Sequence, residues 1–520
     1  MMLSILDVVI VLAYLAGIFL LAQWVSREKA GHHKDAKDYF LASKALPWWA
    51  IGASLIAANI SAEQIIGMSG SGYAMGLAIA SYEWMSAATL LIVGKWFLPV
   101  FLRGGIYTMP QFLERRYGGR IRTLMAVFWL GLYVFVNLTS VLWLGSLAIA
   151  YVAGIDQMIA LVALAVFALA YQLYGGLKAV ALTDIVQVTL LVLGGLLLAG
   201  IALDRISDGA GVWAGFQRLR AEAPGHFHMI LSPDNPFYKD LPGISVLIGG
   251  MWIMNFSYWG FNQYIIQRAL AAKNIGEAQK GVLFAAFLKL LMPVIVVLPG
   301  LAAVLLAPDI GRPDAAYPMM MSLLPAGALG LVFAALIAAI VSSLASMTNS
   351  ISTIFTLDFY QRHDQGHDQG RIVRTGRIVA AVAMLVAVLA ARPLLGSFDQ
   401  AFQYIQEYTG FFTPGIVAIF LLGLFWKRAN EAGALAAAIG SFALSIVLKL
   451  AWPSLPFIDR VGLVFLLAVA LAMIVSLVAS HMPRKQVVRP AEVDYRTDAT
   501  FNIGALAVIA ILVALYALFW

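Results

Sequence analysis

The feature that most constrains this chain is the recurrence of long apolar stretches along its 520 residues. A helix that crosses the hydrocarbon core of a bilayer needs about 20 mostly apolar residues. Fourteen stretches satisfy this requirement, at 4–24, 46–70, 77–100, 122–152, 157–174, 181–203, 243–267, 280–307, 328–357, 376–393, 396–425, 431–451, 460–480 and 501–519. The sequence therefore predicts an all-α integral membrane protein with about fourteen transmembrane helices.

The composition supports a membrane protein and excludes several other classes. Hydrophobic residues make up 62% of the chain and charged residues 12%, against about 45–50% and 25% in soluble proteins. The absence of cysteine excludes a disulfide framework, a thiolate metal site and a cysteine nucleophile. The net charge of +7 is typical of basic cytoplasmic loops, so we expect the lipid bilayer as a partner and no nucleic acid.

Lysine and arginine alternate from loop to loop. The loop at 71–76 and the turn near Asp156 contain neither residue, whereas the loops on either side of them are basic. By the positive-inside rule the basic loops are cytoplasmic, which puts both termini outside a cell inner (plasma) membrane. The loop at 204–242 carries mixed charges, but long loops follow this rule poorly.

The second apolar stretch contains four polar side chains at mid-membrane depth: Asn59, Ser61, Glu63 and Gln64. Unwound backbone at this depth is tolerated only where it lines a cavity, and interrupted helices form the substrate sites of secondary transporters. We therefore predict that this helix is interrupted. The alternative is a kinked structural helix whose polar groups pair with neighbouring helices.

The seventh stretch repeats the pattern, with Gly249-Gly250 followed by Asn255, Ser257 and Asn262. If stretches two to six and seven to eleven form two five-helix repeats of opposite orientation, the interruptions fall in the first helix of each repeat. Such an arrangement creates a binding site at the midplane of the bilayer. The symmetry is inferred from position alone.

Ionisable residues also occur within the apolar stretches, at Glu83, Asp184, Lys289 and Glu407. A charge in hydrocarbon is costly, so these side chains should face the bundle interior and have partners. Two alternatives remain open. Lys289 and Glu83 could form a purely structural ion pair, or Asp184 and Lys289 could lie near an interface and extend their side chains to water.

These polar side chains suit a neutral polyhydroxylated ligand. Sugar hydroxyls both donate and accept hydrogen bonds, so amides, a carboxylate, a serine and a lysine can bind them, while the ring of Tyr258 covers the apolar sugar face. An anionic substrate would favour arginine at mid-depth, and the predicted spans contain none there.

A second group of residues suits a cation. Ser342 and Ser343 lie three and four residues after Ala339, on the same helix face as its carbonyl group. Hard cations take oxygen ligands, and carbonyls freed at Ala57 and Ile60 could complete the shell. The alternative is that the serines bond to their own helix and permit close packing.

Seven sequence blocks carry a resemblance to a known family, at 38–42, 57–64, 70–73, 80–84, 258–264, 341–346 and 401–408. Together they resemble the sodium/solute symporter family, in particular its sodium/glucose cotransporter branch. The resemblance implies a leucine-transporter-like fold with a five-plus-five inverted-repeat core. The implied units are an extra N-terminal helix and cytoplasmic loop at 1–45, the first repeat at 46–203, an extracellular loop at 204–242, the second repeat at 243–425, and three C-terminal helices at 426–520.

The resemblance also implies residue roles. The sugar site would comprise Gln64, Glu83, Ser86, Asn255, Lys289 and Gln406. Tyr258, bonded to Asn59, would form the inner gate, and the outer gate would comprise Met68, Tyr82 and Phe402. Sodium would be bound by the carbonyls of Ala57, Ile60 and Ala339 and the hydroxyls of Ser342 and Ser343, with Asp184 on its exit path.

The implied function is sodium-coupled import of a monosaccharide, galactose or glucose, by alternating access, with sodium as the co-transported ion. The main alternative is a sodium symporter of the same fold for another solute, such as an inositol, an amino acid or a carboxylate. A membrane enzyme or sensor is disfavoured because the spans contain no nucleophile–histidine pair and no metal-ligand cluster. The sequence leaves the oligomeric state open and is compatible with a homo-oligomer.

Overall fold

The computed structural model describes residues 3–26, 46–106, 108–174, 177–360, 369–398, 400–483, 485, 487 and 492–520. Across these ranges the chain is helical, and its only β-type pairing is an isolated bridge between Leu46 and Ala272. The α-helices, numbered in chain order, are α1 (Ile5–Ser26), α2 (Trp48–Asn59), α3 (Met68–Met75), α4 (Ser81–Ile92), α5 (Leu98–Arg103), α6 (Met109–Arg116), α7 (Gly119–Leu132), α8 (Thr139–Ala153), α9 (Gln157–Tyr174), α10 (Leu177–Ile206), α11 (Val212–Glu222), α12 (Ser245–Ile248), α13 (Gly250–Asn255), α14 (Gln263–Leu270), α15 (Ile275–Leu306), α16 (Ala316–Met321), α17 (Ala328–Phe355), α18 (Gln369–Leu395), α19 (Ala401–Thr409), α20 (Thr413–Phe425), α21 (Glu431–Ala451), α22 (Phe457–Val478) and α23 (Ala499–Leu518).

Shorter segments of other helix types join several of these helices. The π-helical segments are Glu63–Gly67, Val93–Phe97, Tyr133–Leu138, Phe256–Phe261 and Thr356–Tyr360, and the 3₁₀ segments are Gly76–Ala80, Pro224–Phe227 and Pro313–Ala315. Because π-bulges inside longer helices are frequent at functional sites, their positions direct attention to the two interrupted helices described below.

Nine helices of the described chain are long and apolar enough to cross a membrane, or ten if α19 and α20, which meet at 46°, form one bent span. α1 and α9 are apolar but contribute shorter segments. The predicted class, an all-α multi-pass membrane protein, is thereby confirmed. The count of fourteen spans, the inverted repeats and the unit boundaries stay predictions.

The second predicted span is interrupted, as its polar residues indicate. α2 ends at Asn59, and Ile60 takes an extended conformation with φ −69° and ψ 103°. The hydroxyl of Ser61 then accepts a hydrogen bond from the N–H of Glu63 at 3.2 Å, at the start of the next helical segment. Within the described chain no backbone N–H bonds to the carbonyls of Ala57 or Ile60, so the break leaves these oxygens available.

The seventh predicted span is interrupted twice. Gly249, with φ −114° and ψ −134°, separates α12 from α13. Asn262, with φ −80° and ψ 121°, separates the π-helical segment Phe256–Phe261 from α14. Gly250 allows α13 to pack directly on α22, since a Cβ atom there would lie 2.9 Å from the backbone nitrogen of Gly462. Both predicted interruptions are therefore features of the fold.

Contacts between helix ends agree with a chain in which successive predicted spans cross the membrane in opposite directions. Asp7, in the first turn of α1, accepts hydrogen bonds from the N–H groups of Gly327 at 2.7 Å and Gly330 at 2.8 Å, at the start of α17. In the long loop after α10, the N–H of Met229 donates to the carbonyl of Phe519 at 2.7 Å. Each contact joins two segments that alternation assigns to the same face, and the identity of the cytoplasmic face stays a prediction.

Candidate substrate and ion site

A cavity of about 80 Å³ lies between the two interrupted helices and is bordered by α4, α15 and α19. This volume is smaller than the range of about 300–1,000 Å³ that is typical of small-molecule sites. All eleven residues predicted for the sugar site and the gates line it: Asn59, Gln64, Met68, Tyr82, Glu83, Ser86, Asn255, Tyr258, Lys289, Phe402 and Gln406. The structure thus brings together residues that are more than 300 positions apart in sequence, while their roles stay predictions.

The charged centre of the cavity is an ion pair between Lys289 on α15 and Glu83 on α4. Their side chains are only 1% and 3% exposed. The same ammonium group also donates to the Oδ1 of Asn59 and lies 4.9 Å from the centroid of the Trp259 ring. Lys289 is therefore fully enclosed. This rules out the alternative of an interfacial side chain that reaches water and leaves the ion pair with Glu83.

A second polar contact joins the two halves of the chain across the cavity. The hydroxyl of Ser86 on α4 lies 2.6 Å from the Oδ1 of Asn255 on α13, and also 2.7 Å from the carbonyl of Tyr82 in its own helix. The amide nitrogen of Asn255 donates to the carbonyl of Met251 at 3.1 Å. Because the serine has one proton for two acceptors, a ligand hydroxyl could replace one of these contacts without leaving a polar group unpaired.

The aromatic ring predicted as the inner gate is fixed by two hydrogen bonds. The amide nitrogen of Asn59 donates to the hydroxyl of Tyr258 at 3.1 Å, and the hydroxyls of Tyr258 and Tyr264 are 3.0 Å apart. Asn59 therefore contacts Lys289 through its oxygen and Tyr258 through its nitrogen. One amide links the charged centre of the cavity to the ring beside the second break.

The three residues predicted as the outer gate form an apolar layer. Met68 and Phe402 are 0% and 1% exposed, and Tyr82 is 7% exposed. The rings of Tyr82 and Phe402 meet edge to face, with their centroids 5.1 Å apart, an arrangement that aromatic pairs prefer. This side of the cavity is closed by packed rings and a thioether, in contrast to the hydrogen-bonded ring on the other side.

The predicted sodium ligands lie outside the cavity lining. Ala339, Ser342 and Ser343 are buried on α17, which packs against α2. The helix that bears the hydroxyls therefore contacts the helix whose end frees the carbonyls of Ala57 and Ile60. The assignment of these five residues to sodium stays a prediction. Asp184 belongs to α10, but its side chain lies outside the described residues.

The structure adds cavity residues that the sequence interpretation did not assign. Glu63, Asn137, Trp259 and Asn262 all line the cavity. Each is a polar or aromatic residue within a predicted span, and Glu63 and Asn262 lie in the same motifs as assigned residues. Asn137 fits a glycosylation sequon with Thr139, but it lies inside the predicted span 122–152, and a polar side chain at that depth is the signal that could have identified it.

Glu407 has partners, as expected of an ionisable residue in a span. Its Oε1 lies 2.9 Å from the ammonium of Lys449 and 3.0 Å from the guanidinium of Arg460. Asp240, in the long loop after α10, is close enough to interact with this carboxylate. Burial, and to a smaller extent the charge of Glu407, raises the pKa of Asp240 to about 6.

Sequence comparisons relate the chain to known transporters. The sequence model of the sodium:solute symporter family matches residues 39–440. The sodium/glucose cotransporter of Vibrio parahaemolyticus is 51% identical, over 100% of this chain and 99% of that protein. Mouse sodium/glucose cotransporter 4 is 34% identical, over 82% of this chain and 66% of its own length. Human sodium/myo-inositol cotransporter 2 is 33% identical, over 85% and 69%.

Two solved structures share the fold. A Na⁺-coupled sialic acid symporter in a substrate-bound, outward-open state is 24% identical, with a TM-score of 0.79 over 93% of this chain and 99% of that one. A transporter of the nucleobase-cation-symport-1 family in a closed conformation is 14% identical, with a TM-score of 0.55 over 88% and 98%. The arrangement of helices is therefore one that multi-pass membrane transporters use.

Proposed function

This chain belongs to the sodium:solute symporter family, and we propose that it imports a monosaccharide, galactose or glucose, together with sodium by alternating access. It is a transporter and not an enzyme. The observation that carries the choice of substrate is the convergence of six hydrogen-bonding side chains in one cavity of a chain that is 51% identical to a sodium/glucose cotransporter.

In this proposal the sugar is bound by Gln64, Glu83, Ser86, Asn255, Lys289 and Gln406. Carboxylate oxygens accept from hydroxyls, the ammonium donates to them, and amides do both. Four of these groups already bond to each other in the described structure, Glu83 to Lys289 and Ser86 to Asn255, so these four are paired without a sugar. A neutral polyol can exchange these bonds for its own, whereas a ligand without hydroxyls would leave buried polar groups unpaired, at a cost of about 1–3 kcal/mol each.

Sodium would couple to the sugar through the break after α2. The freed carbonyls of Ala57 and Ile60, with the carbonyl of Ala339 and the hydroxyls of Ser342 and Ser343, form the proposed shell. An ion there would bridge the interrupted helix and α17. It would therefore stabilise the conformation in which the break lies close to α17 over one in which the two have separated. Because the break also positions Asn59 and Gln64, occupancy of the ion site would favour a sugar-binding arrangement of the cavity.

Access would alternate through the two proposed gates. Met68, Tyr82 and Phe402 close the outer side, and Tyr258, held by Asn59, closes the inner side. Asp184 is proposed to lie on the route by which sodium leaves. The alternation of basic loops supports an inner (plasma) membrane location with both termini outside. With the cytoplasmic face assigned in this way, the sugar would move from the outside of the cell to the cytoplasm.

A second substrate is favoured by a specific observation. The human relative named as a myo-inositol cotransporter is 33% identical over 85% of this chain, and an inositol presents a ring of hydroxyls to the same donors and acceptors. The two substrates differ in the ring oxygen and in the number of hydroxyl groups, so direct competition distinguishes them.

The test is uptake of labelled galactose, glucose and myo-inositol into proteoliposomes, with an inward gradient of either sodium or potassium. We expect accumulation of a hexose with sodium and little with potassium, because a sodium gradient plus 100 mV supplies about 2.3 kcal/mol per charge in addition to its chemical term. Accumulation of myo-inositol in preference to both hexoses would show that myo-inositol, and not a hexose, is the substrate. Equal uptake in both salts would refute sodium coupling.

A further inference from the structure

Glu63 is a carboxylate in the cavity to which neither the sugar site nor the sodium site assigns a role. It begins the π-helical segment that follows the break after α2, lines the cavity and is 8% exposed. Its Oε1 lies 2.9 Å from the hydroxyl of Ser140 on α8. The side chain is therefore held at the cavity wall, three residues beyond Ile60.

A second π-helical segment packs beside it. Asn137 lies in the segment Tyr133–Leu138, lines the same cavity and is 9% exposed. Its amide lies within interaction range of the Glu63 carboxylate, while its Oδ1 has no hydrogen-bond partner among the described residues. A buried amide oxygen without a donor is uncommon, and this one belongs to a side chain that contacts a carboxylate at the cavity wall.

The ionisable side chains that line the cavity are two acids and one base, so they cannot all form ion pairs with each other. Its acidic and basic lining residues are Glu63, Glu83 and Lys289, and the single ammonium is already paired with Glu83. No basic side chain of the described ranges forms an ion pair with Glu63. An ionised carboxylate at membrane depth requires a compensating charge, and such residues commonly mark ion pathways.

We infer that the Glu63 carboxylate and the Asn137 Oδ1 form a station for the co-transported cation, next to the cavity. Both ligands are hard oxygens, as a hard cation prefers. α17, which bears the proposed sodium hydroxyls, packs against the segment Tyr133–Leu138, so the station adjoins the proposed sodium site. The identity of the ion as sodium rests on the proposed function. The excess of acidic over basic lining residues and the amide oxygen without a donor support a cation site independently of that function.

The experiment compares Glu63→Gln, Glu63→Asp and Asn137→Leu with the wild type, using ²²Na⁺ binding to purified protein and the sodium dependence of galactose uptake. Glu222→Gln is the control, because it neutralises an exposed carboxylate on α11. Glu63→Gln should raise the sodium concentration for half-saturation by about tenfold or more, since it removes a unit charge next to the ion. Glu63→Asp should retain an intermediate affinity, and Asn137→Leu should also weaken binding.

Unchanged ²²Na⁺ affinity in Glu63→Gln would show that Glu63 carries its own proton or only packs, and would overturn the station. An equal loss in Glu63→Asp and Glu63→Gln, with a lowered thermal midpoint in both, would also overturn it, because a structural defect would then explain the result. If the wild type binds ²²Na⁺ but does not take up galactose, the proposed substrate is refuted. The ²²Na⁺ affinities of the variants then decide whether Glu63 and Asn137 bind the cation.

Discussion

Removal of either member of the Lys289–Glu83 pair leaves the other charge enclosed in the cavity. Both side chains are at least 97% buried, so Lys289→Met or Glu83→Gln alone should destabilise the protein by about 3–5 kcal/mol, the cost of an uncompensated buried charge. In the double variant no charge is stranded and the methionine side chain fills the space of the lysine stem. Its stability should return to within about 1 kcal/mol of the wild type.

The assay follows thermal unfolding in detergent and the binding of labelled galactose for the two single variants and the double variant. A matched control is Lys280→Met with Asp498→Asn, which removes an ion pair of 3.1 Å whose side chains are 35% and 45% exposed. An exposed pair contributes little, so the control should unfold at the wild-type midpoint. It should also bind sugar normally.

The two measurements separate a structural pair from a sugar-binding pair. If Lys289 and Glu83 bind hydroxyls, the double variant should fold well and still fail to bind galactose. If they serve only to neutralise each other, sugar binding should return with stability. Wild-type affinity in the double variant would therefore refute the sugar-binding role of both residues.

Three further predictions follow from the site and its surroundings. Ser343→Ala should abolish the sodium dependence of uptake, which flux in sodium and potassium buffers will measure; a normal sodium response would exclude this hydroxyl as a ligand. Gln406→Ala and Asn255→Ala should each weaken sugar binding about 5- to 150-fold, equivalent to about 1–3 kcal/mol for a lost buried hydrogen bond, with an unchanged melting temperature; exposed Gln217→Ala is the control. Burial raises the pKa of Asp240 from 3.8 to about 6, so its contribution to stability is fully present below about pH 4 and is lost as the pH rises through 6. Melting curves of Asp240→Asn should lack this dependence, and a pH profile identical to that of the wild type would contradict it.

The interruptions were predictable because their cause is local. Asn59 and Asn262 are amides at membrane depth, and the sequence around each contains the small and polar residues that stop a helix within a cavity. The structure ends a helical segment at each of these positions. The residues that converge from the two interruptions could be grouped only through the family resemblance, since one sequence contains no information on which distant helices meet.

What the sequence did not reveal depends on long-range packing. The role of Asn137 as a cavity residue requires α7 and α8 to present their π-helical junction to Glu63, and nothing local to Asn137 indicates this neighbour. Likewise, the position of Lys289 at the centre of the cavity follows from the packing of α15 against α2 and α4, whereas its sequence context allowed an interfacial position equally well.

The two sides of the cavity differ in how tightly they can be shut. Tyr258 is held by two neutral hydrogen bonds, each of which contributes about 0.5–1.5 kcal/mol net. Together these two hydrogen bonds favour the closed ring by about 5- to 150-fold. If Tyr258 is the inner gate, as proposed, a small free-energy difference holds it closed, and uncoupled ion flow would be prevented mainly by the proposed outer gate, the apolar layer of Met68, Tyr82 and Phe402. Variants that loosen this layer should be more harmful to the energy balance of the cell than variants that free the tyrosine.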